Sequence, residues 1–145
     1  MYQKEFAMRM YAKVGTKNYS RLSAMLFFKS SIEFLTDVSS ESFIPKPKID
    51  SSVVKLTPVD FNISDGDFSI YSSYTKAFFQ HKNKKARNAL IDSRHVISSL
   101  DKKEFRTILN DISNEEINDL LNKRVITLNP NEILYLSKFL NDLYV

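Results

Sequence analysis

Apolar residues recur every three or four positions through the second half of the chain, a spacing typical of amphipathic helices. From about Phe68 onward every segment fits this pattern, and a polar connector, residues 60–67, precedes it. We therefore predict that this half of the chain consists of helices packed around one apolar core. The predicted core positions are Tyr71, Tyr74, Phe78, Phe105, Ile108, Leu109, Ile112, Ile117, Leu120, Leu121, Ile133, Leu136, Leu140 and Leu143.

Capping motifs predict where several of these helices begin. Asp101 with Glu104, and Ser113 with Glu116, have the spacing of a capping box, in which two side chains and two backbone N–H groups satisfy each other. The segment Asn129–Glu132 offers a cap, a first-turn proline and a first-turn acid.

The first 60 residues show a different, mixed pattern. We predict a helix over residues 4–13, ended by Gly15 in a left-handed cap, and a second helix over 19–30. Residues 32–38 alternate with a period of two, and residues 51–57 are rich in β-branched side chains, so both predict strands.

A proline loop, residues 43–50, separates these two strands. Pro45 and Pro47 exclude both a helix and a central strand there. The predicted fold class is therefore α+β, with two helices and two strands in residues 1–60 and a small all-helical domain in residues 61–145. Two strands form only a marginal sheet by themselves, so we expect the first part to be a fragment of a larger sheet.

Composition excludes several classes of function. The chain has no cysteine, which removes disulfides and thiol chemistry, and its two glycines cannot supply a glycine-rich nucleotide loop. His81 and His95 have no acid cluster at metal-ligand spacing, so we expect no metal site. The longest apolar run is far shorter than a membrane span, and the first residues do not resemble a signal peptide, so we expect a cytoplasmic protein.

Positive charge is concentrated in one short segment. Residues 76–99 carry six basic side chains and one acid, Asp92, although the whole chain has a net charge of only +4. The run "HKNKKAR" at 81–87 predicts a helix with one basic face, since Lys84, Arg87 and Asn88 would lie together. Phosphate is the expected partner of such a face, although an isolated lysine run more often is only a solvated surface.

Four blocks of the sequence resemble one enzyme family. In order, these are "QKEFAMRM", "NYSRLSAM", "FIPKPKIDSSVVKL" and "AFFQHKNKKARNAL". Together with "RVITLNPNEILYLSKFL" they resemble the rRNA adenine N6,N6-dimethyltransferases, which use S-adenosylmethionine to modify two adenines near the 3′ end of small-subunit rRNA. The family usually has glycine where this chain has Ser20.

The resemblance assigns roles to particular residues. It implies that Phe43 stacks on the flipped target adenine, where aromatic stacking is worth about 1–3 kcal/mol per base. From the residues alone, Phe43 would sooner be a core side chain beside a rigid loop. The implied contacts to RNA phosphate are Lys46, Lys48, Lys82, Lys84, Lys85 and Arg87.

The resemblance also implies that this chain is the C-terminal portion of the enzyme. Met1–Gln3 would correspond to the end of a central strand, and the S-adenosylmethionine site would precede it, so the chain alone should bind no cofactor and methylate nothing. The expected partners are small-subunit rRNA and the pre-ribosomal small subunit, and we expect a monomer. Three alternatives stay open: a stand-alone RNA-binding module, a large-subunit methyltransferase of the antibiotic-resistance type, and a protein–protein interaction role for the helices.

Overall fold

The chain forms a sheet with flanking helices in its first part and helices alone in its second part, so the fold is α+β. The computed structural model describes residues 1–143. The chain divides into two units, Met1–Asn62 and a second one that begins at Ile63, against a predicted boundary between residues 60 and 61. Residues 144–145 of the predicted helical domain lie outside the described residues.

The first unit contains three strands and two α-helices. In chain order these are β1 (Tyr2–Gln3), α1 (Lys4–Met10), α2 (Arg21–Phe27), β2 (Ser30–Val38) and β3 (Ser51–Pro58).

The strands form one antiparallel sheet in the order β1-β3-β2. The long pair is β2–β3, which runs from Ser30 opposite Pro58 to Val38 opposite Ser51. Its register shifts between Phe34 and Thr36, a bulge that interrupts the period-two pattern. The count of two strands was wrong, because β1 has only two residues, too few for any periodicity to reveal.

Both helices are shorter than predicted. Helix α1 ends at Met10, where Tyr11 takes a non-helical backbone conformation and its ring lies 5.6 Å from that of Phe34. Gly15 is therefore not the cap of this helix; it has φ +86° within a later turn. Ser20 precedes α2 with φ −148°, an extended backbone that does not require glycine.

Phe61 explains why the first unit extends to residue 62. Its ring stacks on Phe27 with centroids 5.1 Å apart and meets Phe28 edge-on at 5.7 Å. Asn62 follows with φ +56°, and its N–H donates to the Asp60 carboxylate at 2.7 Å. The segment predicted as connector thus begins as part of the first unit.

The described part of the second unit, residues 63–143, contains five α-helices. They are α3 (Asp65–Phe79), α4 (Ala86–Asp92), α5 (Lys102–Asn110), α6 (Glu115–Leu121) and α7 (Pro130–Leu143), with short 3₁₀ turns at Arg94–Val96 and Val125–Thr127. Helix α3 packs mainly against α7. The predicted apolar positions form the core, with the exception of the exposed Leu143 and the half-buried Ile108.

Side-chain caps begin four of these helices. The reciprocal capping box of Asp101 and Glu104 is confirmed, with N···O distances of 2.8 and 3.1 Å. Asn129 and Glu132 form a second one, at 2.8 and 3.0 Å. The remaining caps are Ser64 on α3 and Asn114 on α6. The prediction of Ser113 was wrong by one residue, because the Asn114 side chain is the one that reaches the free N–H of Ile117.

Replacing Leu136 with alanine should destabilise the helical unit strongly, whereas the same change at its neighbour Tyr135 should not. Leu136 is fully buried and Tyr135 is 43% exposed. We expect a loss of about 2–5 kcal/mol for Leu136→Ala and about 0.5 kcal/mol or less for Tyr135→Ala. Hydrogen exchange of α3 and α7 amides measures both, and equal effects would contradict the packing described.

Candidate nucleic-acid interface

The proline loop lies between β2 and β3. A 3₁₀ turn, Ser40–Ser42, leads into Phe43, which has an extended backbone at φ −116°, ψ 148°. After Phe43, the peptide bond between Ile44 and Pro45 is cis. Phe43 is half-buried, whereas Ile44 is completely exposed. The aromatic ring predicted to stack on a base is therefore neither a core side chain nor fully solvated.

Asp50 fixes the far end of the loop to two other segments. Its carboxylate accepts a hydrogen bond from Ser40 N at 2.9 Å, and its backbone oxygen accepts one from Lys4 N at 3.0 Å. The predicted phosphate contacts of this loop are both exposed. Lys46 pairs with Glu41 at 3.1 Å, and Lys48 lines a small surface hollow next to Lys4.

Asp37 couples the start of α1 to the sheet. The buried Ser52 hydroxyl donates to it at 2.6 Å, and the Lys4 ammonium lies 3.4 Å from its other oxygen. The Ser52 hydrogen bond, and then the charge of Lys4, hold the pKa of Asp37 below its ordinary value of 3.8. Asp37 is therefore ionised at neutral pH and keeps the strands beside the proline loop in register.

The basic run 81–87 is not a continuous helix, and that prediction was wrong. Helix α3 ends at Phe79 and α4 begins at Ala86, so the lysines lie in the turn between them. The turn is held by segment 123–126, because Lys82 O and Lys84 O accept hydrogen bonds from Ile126 N and Val125 N, both at 3.0 Å. These long-range bonds replace the i→i−4 bonds that a helix would make.

The predicted cations Arg87 and Lys84 are held by other side chains. The Arg87 guanidinium donates to the side-chain oxygens of Asn110 at 3.3 Å and Asn118 at 3.2 Å, which ties α4 to α5 and α6. Lys84 donates to Asp92 at 2.6 Å, and Lys102 lies 3.8 Å from the same carboxylate. The Lys84 hydrogen bond in particular holds the pKa of Asp92 below its ordinary value of 3.8.

A cleft of about 420 Å³ opens beside the turn and brings together charges that are far apart in sequence. Its lining includes two arginines that sequence reasoning missed, Arg106 and Arg124, because both lie outside the basic run 81–87. Arg124 is the first residue of the block "RVITLNPNEILYLSKFL", but no role was assigned to it from the sequence. The full lining is Asn83, Lys84, Lys85, Asn88, Ile91, Asp92, Arg106 and Arg124, which carries a net charge of +3.

Within residues 1–143 no group of three His, Asp or Glu side chains is placed to hold a metal ion. Over the same described range, none of the helices combines the length and the apolar character that crossing a lipid bilayer requires.

Comparison with known proteins identifies one protein family. The family model "Ribosomal RNA adenine dimethylase" matches residues 1–128. The probable ribosomal RNA small subunit methyltransferase A of Methanococcus aeolicus is 42% identical over 134 residues, which is 92% of this chain and 49% of that protein. Its counterpart in Pyrococcus abyssi is 37% identical over 142 residues, 98% of this chain and 49% of that protein.

Two solved structures resemble the chain. A dimethyladenosine transferase from Plasmodium falciparum superimposes with a TM-score of 0.74 at 29% identity, covering 99% of this chain and 56% of that one. The 23S rRNA methyltransferase ErmE gives 0.52 at 21% identity, over 94% of this chain and 51% of that one, which shows similarity of fold alone. The chain spans about half the length of the curated relatives it matches.

Replacing Lys84 with methionine should raise the pKa of Asp92 toward 3.8, because it removes the main hydrogen bond to the carboxylate. Since the folded pKa is lowered, the pair stabilises the fold above pH 3.8, and this contribution is lost as the pH falls through the folded value. It is worth at most about 1 kcal/mol, because the pair is partly exposed. Carboxyl ¹³C NMR titration measures the shift, with Lys103→Met as the control; an unchanged Asp92 pKa would show that the pair does not form in solution.

Proposed function

The chain belongs to the ribosomal RNA adenine dimethylase family, and on that premise we propose that it supplies target-base stacking and rRNA binding to an S-adenosylmethionine-dependent rRNA adenine N6,N6-dimethyltransferase. In this proposal it is the C-terminal portion of such an enzyme, with the end of the Rossmann-like sheet in residues 1–60 and the rRNA-binding domain in residues 61–145. The proposed setting is maturation of the small ribosomal subunit in the cytoplasm, by a monomer that binds rRNA near its 3′ end.

The observation that carries the proposal of rRNA binding is the basic cleft. Four cations from the turn, α5 and segment 123–126 line one opening, with a single carboxylate among them. Neutralising RNA phosphates with such a surface releases counterions, which favours binding without reading the sequence. Lys82 and Lys85 extend the positive surface along the turn; Lys84 and Arg87 contribute charge from positions fixed by their partners.

The proposed role of Phe43 is to hold the target adenine. An extended base-stacking residue next to two prolines loses little conformational entropy on binding. The half-buried ring on a loop whose far end is fixed by Asp50 suits this role. In such a reaction S-adenosylmethionine would supply the methyl group, while Phe43 stacks on the flipped adenine and Lys46 and Lys48 hold the neighbouring phosphates.

The described residues do not fit an S-adenosylmethionine site of their own. A nucleotide-type cofactor needs a glycine where the backbone approaches it between a strand and a helix. Here β1 passes into α1 at Gln3–Lys4 without a glycine, Gly15 lies in the turn after α1, and Gly66 lies in the first turn of α3. We therefore place methyl-donor binding in the rest of the enzyme.

One alternative is a stand-alone RNA-binding module on pre-ribosomal particles. It is compatible with a cleft that lies entirely within the helical unit, since binding there needs no methyl donor. The large-subunit alternative has less support, because the small-subunit relatives are the ones with substantial sequence identity.

Binding of the chain to the 3′-terminal hairpin of small-subunit rRNA should weaken steeply with salt, and Lys82→Ala/Lys85→Ala should weaken it further. Two lost phosphate contacts should flatten the plot of log K against log [salt] by about 2. Fluorescence anisotropy across a salt series measures both. Lys84 and Arg87 are left intact, because their side chains hold Asp92 and the two asparagines.

The control is Lys76→Ala/Lys138→Ala, which removes two charges from α3 and α7 that do not line the cleft, the second of them from an ion pair with Asp67 at 3.3 Å. It should change the slope little. Absence of salt-dependent binding by the unmodified chain, or equal losses in both double variants, would contradict the role of the turn in RNA binding.

Mixing this chain with the part of the Methanococcus aeolicus relative that it does not cover should restore transfer of labelled methyl groups to the hairpin. Phe43→Leu should abolish most of the transfer, because it keeps an apolar side chain but removes the stacking ring. Phe43→Tyr, which keeps the ring, should retain transfer.

The same variants distinguish stacking from packing. If Phe43 served the core, Phe43→Leu would lower the melting temperature and methyl transfer together. If the mixture binds RNA but transfers no methyl group, the stand-alone module gains and the enzymatic proposal fails.

A further inference from the structure

We propose that the basic cleft is a specific site for a phosphate group of an RNA strand, with Arg106 and Lys85 as its direct contacts and Asp92 as an opposing charge. This inference rests on the proposed rRNA-binding function and makes it more specific. It adds Arg106, which lies outside the basic run, and it assigns Lys84 and Arg124 to positioning the cleft.

The two proposed contacts differ from Lys84 and Arg124, the other cations that line the cleft, in whether their side chains have a partner. Among the residues that the structure describes, the side chains of Lys85 and Arg106 form no hydrogen bond or ion pair. Lys84 is paired with Asp92, and the Arg124 guanidinium donates to the backbone oxygen of Asn83. Lys85 and Arg106 can therefore bind an incoming anion without first breaking an internal contact.

The backbone places Lys85 at the cleft with little freedom. Lys85 and Arg124 form an isolated antiparallel bridge, flanked by hydrogen bonds from Val125 N to Lys84 O at 3.0 Å and from Ala86 N to Lys123 O at 2.8 Å. A donor whose main chain is already fixed loses less entropy when it binds a ligand. Arg124 thus acts as a positioning residue through its backbone and its bond to Asn83.

The lining favours a phosphate over an apolar protein surface. Seven of the eight lining residues are polar or charged, and Ile91 is the one apolar member. Protein–protein interfaces centre on apolar and aromatic side chains, whereas nucleic-acid interfaces are polar and strongly positive. The exposed amide of Asn88 adds a neutral donor for phosphate oxygens next to the two cations.

Asp92 allows the site to be tested with a variant that should strengthen anion binding as well as with one that should weaken it. Its pKa is lowered, so it carries a full negative charge in the cleft, offset by Lys84 and Lys102. A phosphate near Lys85 and Arg106 is repelled by that carboxylate. Removing the acid should strengthen anion binding and release Lys84 toward the ligand, whereas removing Arg106 should weaken it.

The test compares Arg106→Ala and Asp92→Asn with the unmodified chain in the rRNA hairpin salt series. Arg106→Ala should reduce affinity and flatten the salt slope by about 1. Asp92→Asn should increase affinity at every salt concentration. Arg106→Lys should restore the slope, because it returns the charge, and Lys76→Ala is the matched control for a lost charge elsewhere.

A second measurement locates the site with the simplest probe. Titration with inorganic phosphate should shift the NMR signals of the Arg106 Nε–H and the Asn88 side-chain amide. The Arg9 Nε–H, in the other unit, should not move. Shifts produced by a glutamate-rich peptide and not by phosphate or RNA would assign the cleft to an acidic protein partner and overturn the proposal.

The outcomes separate this inference from the function on which it rests. If the chain binds the hairpin and Lys82→Ala/Lys85→Ala weakens it, but Arg106→Ala and Asp92→Asn leave binding unchanged, the cleft site is wrong and rRNA binding stands. If the chain does not bind the hairpin at all, the proposed function of the helical unit fails. Circular dichroism of each variant verifies that its helix content is unchanged.

Discussion

The hydrogen bonds between the turn at 82–85 and segment 123–126 are the constraint on which the candidate interface depends. They hold the turn in place of helical bonds, they fix the main chain of Lys85, and they bring Arg124 against Asn83. Buried backbone groups must find partners, and here the partners are about 40 residues away in the chain. The charges of the run come from neighbouring residues, but their arrangement in space depends on hydrogen bonds to segment 123–126.

The sequence predicts well what depends on local spacing. The helical core positions follow from a period of 3.6, and the Asp101 and Asn129 caps follow from side chains that bond within their own first turn. It predicts poorly what depends on long-range contacts. Helix α1 ends early where Tyr11 meets Phe34, and the basic run leaves the helical conformation where segment 123–126 bonds to it. Arg106 could not be found by pattern, since its neighbours in the cleft come from other elements.

Some of the basic residues bond to other side chains of the protein, and others line the cleft without such a partner. Arg87 and Lys84 stabilise the packing of the helices and the shape of the turn through Asn110, Asn118 and Asp92. Lys85 and Arg106 lie at the opening of the cleft. A count of cations treats all of these alike, although Lys85 and Arg106 can bind a phosphate without first breaking an internal contact. In the proposed function, the phosphate that meets these side chains belongs to an rRNA backbone.

The distance in sequence between the turn and segment 123–126 also has a consequence for synthesis of the protein. The lysines leave the ribosome well before residues 123–126, and until those residues emerge the turn lacks the partners that define its shape. Until then the main chain of the turn lacks the hydrogen bonds that Val125 N and Ile126 N donate to Lys84 O and Lys82 O. The cleft therefore takes its shape only after segment 123–126 has been made, so its charges are arranged late in the synthesis of the helical unit.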